Sequence, residues 1–112
     1  MSKYMQLNIS VVPFYQNDFE GIYPNLSRHF KYVKPDLVER NPSLYEIAGL
    51  LDKLLYAADG TPLREVLLKY RKDILKIHKS IQENIANWNL PQADRLLYNL
   101  EDIFDKIEAE LD

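Results

Sequence analysis

Between Thr61 and Asn89 the chain carries one uninterrupted helical pattern, a rod of about 40 Å at 1.5 Å rise per residue, and the rest must pack along it. Leu63, Leu67, Tyr70, Ile74, Ile77, Ile81 and Trp88 recur at steps of four and three, with Asn84 as the polar gap. That is the apolar stripe of a helix, not the alternation of a strand. Thr61 suits the N-cap and Pro62 the first helical position, where a missing N–H costs nothing. Val66, Leu68, Leu75 and Ile85 widen the apolar arc, so the helix needs two neighbours.

Both neighbours are legible. Ser43-Leu44-Tyr45-Glu46 is a capping box. Behind it Leu44, Ile47, Leu51, Leu54 and Ala58 form a stripe, and Asp59-Gly60 ends it. On the other side Asn89-Leu90-Pro91 breaks the rod, and Ala93, Leu97, Leu100, Phe104, Ile107 and Leu111 again step four and three. Short connections make consecutive helices antiparallel. The reading is an all-α protein: an antiparallel three-helix bundle over about 43–59, 62–88 and 92–111. Gly49 stands inside the first of these, where glycine costs about 1 kcal/mol against alanine, and it would allow another segment to come close.

The N-terminal third is different. Residues 4–12 alternate apolar and polar, and Pro13 ends the alternation, yet no second strand is evident to pair with them. An extended or strand-like arm lying on the bundle is expected, with pairing to a partner or a dimer mate as the other option. Residues 14–23 carry Phe14, Tyr15, Phe19 and Tyr23 without a period and read as an aromatic loop. Leu26, Phe30 and Val33 predict a short helix over about 24–34, closed by Pro35, with one further turn to Arg40. The division is a single domain over 1–112: arm and loop over 1–23, helical bundle over 24–112.

With 112 residues, no cysteine and a net charge of −3, disulfide and thiolate chemistry are excluded, and general attraction to nucleic acid has no support. No apolar run approaches a membrane span and no signal pattern opens the chain, so a cytoplasmic protein is expected.

Charge is segregated. Arg64, Lys69, Arg71, Lys72, Lys76 and Lys79 crowd the long helix, and Glu101, Asp102, Asp105, Glu108, Glu110 and Asp112 crowd the last one. In an antiparallel hairpin turning near Leu90, Lys79 falls level with Glu101 and Lys72 with Glu108, so mutual screening is preferred to a nucleic-acid face on the first helix and to an acidic surface for a basic partner on the second. Arg71 and His78, seven apart, share one helical face. An arginine, six residues and a histidine resembles the motif of the HEPN helical ribonucleases, with Lys72 where that family prefers another polar residue. The resemblance covers two residues and implies a histidine acid/base with an arginine steadying phosphate. A solvated helix face accounts for the same spacing.

No Glu-x-x-His pair marks a di-metal site, no glycine loop could cradle phosphate, and no nucleophile constellation can be assembled. No cofactor or metal is expected, and no catalysis. The expected function is a non-catalytic protein–protein interaction module: an adaptor, inhibitor, immunity-type protein or assembly factor. Its partner is another protein or a second copy, engaged through Tyr4, Phe14, Tyr15, Phe19, Tyr23, Tyr32 and Trp88, because aromatic residues are enriched where proteins bind. The alternative is nucleic-acid binding or ribonuclease action through Arg71 and His78.

Overall fold

A computed structural model describes residues 9–15 and 18–111 of the protein. Among these residues all regular structure is helical, in the order α1 (Phe19–Ile22), α2 (Pro24–Val33), α3 (Pro35–Glu39), α4 (Leu44–Gly49), α5 (Leu51–Ala57), α6 (Pro62–Ala86) and α7 (Leu90–Glu110). The molecule is a helical bundle measuring 50 × 26 × 25 Å. Helices α6 and α7 form the antiparallel hairpin against which α4 packs on both, α5 on α6, and α2 on α7.

The predicted stripes supply most of the core, Trp88 excepted, which lies beyond α6 and is exposed. Leu63, Leu67, Ile74 and Ile81 of α6 are fully buried, as are Leu100, Phe104 and Ile107 of α7 and Ile47, Leu51 and Leu54 of α4 and α5. Each such side chain contributes about 1.5–3 kcal/mol relative to exposure. The local stop and start signals also act as read. Ser43 Oγ accepts from the Glu46 N–H at 3.0 Å, Thr61 Oγ1 receives the Arg64 N–H, and Gly60 takes φ +77°.

Two features differ from the sequence reading. The helix predicted over 43–59 is two helices, because Leu50 turns at φ −100°, ψ 7° between α4 and α5. The aromatic loop over 14–23 contains a helical turn, α1, whose Asp18 side chain accepts from Gly21 N–H at 2.7 Å. Of the arm over 4–12, residues 4–8 lie outside the described residues; residues 9–12 carry neither helix nor strand.

The charge pairing also changes. Lys69 bonds Glu110 at 2.7 Å, two residues level across the hairpin, so the predicted register stands. Glu108 does not meet Lys72, however. Its carboxylate receives the N–H groups of Asn25 and Leu26, each at 2.9 Å. The first turn of α2 has free N–H groups and no side-chain cap of its own, and a carboxylate there satisfies two of them and the helix dipole. Glu101 likewise turns away from α6, and Lys72, Lys76 and Lys79 are exposed with no ion pair among the described residues.

Candidate partner-binding groove

Two long-range clasps fix the N-terminal third to the bundle. Asn41 sits between α3 and α4 at φ +52°, the left-handed region that asparagine tolerates. Its Oδ1 accepts the Phe19 N–H at 2.7 Å, closing the start of α1. One residue on, the Pro42 carbonyl accepts the Tyr15 hydroxyl. Behind these bonds Phe19 is fully buried, stacked on Phe30 with ring centroids 6.0 Å apart and edge-on to Tyr15 at 5.9 Å.

The clasped segment runs alongside α7, and a groove of about 450 Å³ lies between them, within the usual size of ligand pockets, about 300–1,000 Å³. Val11 to Tyr15, with Ile22 and Tyr23, make one wall; Leu44, Leu97 and Leu100 make the floor. The other wall is one face of α7: Asp94, Tyr98, Glu101 and Asp105, spaced at four, three and four residues as a helical stripe requires. Phe14 stands wholly in solvent at the rim and Tyr98 is 62% exposed opposite, with Val12 and Ile22 also exposed. Large apolar groups gathered round one concavity mark binding surfaces rather than ordinary surface.

The wall is negative and uncompensated. No ion pair among the described residues engages Asp94, Glu101, Asp102 or Asp105. Partial burial, then repulsion from Asp105, Asp102 and Asp94, raises the Glu101 carboxyl above its ordinary range. Tyr23 donates its hydroxyl to Asp105 Oδ1 at 3.0 Å. Burial and this bond push Tyr23 well above the ordinary phenol range; burial and then Glu101 do the same to Tyr15. Both phenols stay neutral at any physiological pH, so they serve as rigid donors.

Of the predicted contact residues, the structure brings Phe14, Tyr15 and Tyr23 together along this groove. Phe19 supports it from the core with no exposed surface. Tyr32 is exposed but outside the lining, as is Trp88, which is half exposed at the α6–α7 turn with φ +59°. Tyr4 lies outside the described residues. Sequence reasoning missed Tyr98 and Asp94, and it placed Glu101 and Asp105 among the acidic residues that screen the basic long helix. The signal available was their shared face on α7; that the N-terminal segment crosses that face was not readable.

Arg71 and His78, the other residues singled out, each have a partner of their own. The Arg71 guanidinium is held by Asp52 at 3.0 Å. His78 is stacked on Tyr45 at 4.6 Å, with burial lowering its pKa, and its Nε2 lies over Gly49. Among the described residues no group of three or more His, Asp or Glu side chains is placed to hold a metal ion, and no helix is long and apolar enough to cross a membrane. Comparison with protein-family models, curated proteins and solved structures found no match.

Proposed function

We propose that the protein is a non-catalytic interaction module, of the adaptor, inhibitor, immunity or assembly type, that binds another protein in the groove between its N-terminal segment and α7. The observation carrying this reading is the fully exposed Phe14 ring at the rim of a groove whose wall is clasped in place by Asn41 and Pro42. Exposing an aromatic costs solubility, and aromatic anchors are what binding hot spots are made of. A cytoplasmic setting suits a chain without cysteine.

The test is differential capture. The wild-type protein and Phe14→Ser/Tyr98→Ser are used as baits in the cell of origin. Both sites are exposed, so the variant keeps the wild-type melting temperature. A specific set of proteins that binds wild type and is lost from the variant supports the reading. Identical sets on both baits contradict it.

A second reading, nucleic-acid binding, is favoured by one observation, the exposed row Lys72, Lys76 and Lys79 on α6. It requires RNA or DNA affinity that falls steeply with salt and is lost when the three lysines are changed to glutamate. Absence of binding at low salt removes it.

A further inference from the structure

Building on the groove reading above, we infer that the groove's occupant is an arginine-bearing, extended segment of a partner protein, with the guanidinium seated against the α7 wall and a neighbouring apolar side chain on the floor. Charge complementarity selects the cation. Asp94, Glu101 and Asp105 line one side of the concavity and none is neutralised by an ion pair among the described residues. The three side chains are exposed; clustered like charges without a counter-ion repel one another in the free protein, and a partner's cation relieves that repulsion on binding. Partial desolvation, and then repulsion from Asp105, Asp102 and Asp94, raises Glu101 within the same arrangement.

Aromatic rings select arginine over lysine. Tyr98 stands in the same wall as the carboxylates, and Phe14 and Tyr15 face it across the groove. A planar guanidinium can stack on such a ring while its edge forks onto a carboxylate, which a tetrahedral ammonium cannot do. The apolar floor of Leu44, Leu97 and Leu100 selects a peptide over a free polyamine, because it needs a hydrophobic side chain beside the cation. One rim is the segment 11–15, which carries neither helix nor strand; an extended chain can run along it.

The experiment pans a random dodecapeptide display library on the whole protein and on Asp94→Asn/Glu101→Gln. Glu101 is easier to keep neutral than charged in the fold. Its raised pKa means stability is lost as pH rises through that pKa, so Glu101→Gln melts at or above the wild-type temperature at neutral pH, and lost binding is not lost folding. Wild type should enrich peptides pairing arginine with a nearby Leu, Ile, Val or Phe. A synthetic copy of the winning peptide should bind the carboxamide variant at least tenfold more weakly. Replacing its arginine with lysine should also weaken it severalfold. Enrichment of peptides without basic residues, lost in Phe14→Ser/Tyr98→Ser, overturns the arginine assignment while leaving the groove reading intact. Enrichment that is indifferent to both variants, or no enrichment at all, overturns both.

Discussion

Asn41 holds more of the groove than its place in a turn suggests. It supplies a left-handed backbone between α3 and α4 and, through Oδ1, the acceptor that starts α1. The two roles separate by substitution. Asn41→Gly keeps the backbone and loses the bond, costing about 1 kcal/mol. Asn41→Ala loses both and costs about 2 kcal/mol or more, since a Cβ in the left-handed region adds about 1–2 kcal/mol. Urea denaturation of the two variants distinguishes them; equal losses would show that the backbone conformation is not required. This scale also shows what a sequence can reveal. Ser43, Thr61 and Gly60 act within three or four residues of themselves, so their roles are written locally. Asn41 serves a residue 22 positions away, and Glu108 serves N–H groups more than 80 positions away. No local pattern records either.

At the scale of elements, the division of one predicted helix into α4 and α5 is the clearest departure, and it falls directly after Gly49, which packs against His78. A Cβ on Gly49 would lie 3.1 Å from His78 Nε2, tighter than ordinary contact, and the imidazole is already stacked on Tyr45. The glycine that looked like a helix defect is the floor on which a side chain of α6 rests. Gly49→Ala should therefore be neutral or destabilising in the wild type, despite the roughly 1 kcal/mol that alanine gains in a helix. With His78→Ala the same change should stabilise by about 0.5–1 kcal/mol. Thermal unfolding of the four proteins gives the coupling, and strict additivity would deny the contact. The same packing predicts a pH effect. Burial lowers the His78 pKa below its unfolded value of 6.5. The neutral ring's contribution is complete above that value and declines as pH falls through the folded pKa. His78→Gln should flatten this part of the melting-temperature profile.

On the scale of the whole molecule, periodicity and caps determine the bundle, because each stripe has to be covered and the connections are short. The α6–α7 register followed from the turn position alone, and Lys69–Glu110 obeys it. What did not follow was the rotation of α7. The charged residues of one helix go to three destinations: Glu110 to α6, Glu108 to the start of α2, and Glu101 with Asp105 to the groove. Spacing groups residues by face but does not say which segment covers that face, so the groove emerged only from the fold. Phe14, Tyr15 and Tyr23 were expected as contact residues from aromatic density, whereas Asp94 and Tyr98 were not, and the acidic face of the last helix was read as a screen for the basic one.

The most direct measurement is hydroxyl-radical footprinting of the protein with and without a partner captured by wild type. The exposed rings report on different faces: Phe14 and Tyr98 border the groove, while Tyr32 and Tyr56, 84% and 87% exposed, lie outside its lining. Binding in the groove predicts that Phe14 and Tyr98 lose reactivity severalfold while Tyr32 and Tyr56 keep theirs. Protection of Tyr32 or Tyr56 with Phe14 and Tyr98 unchanged would contradict it.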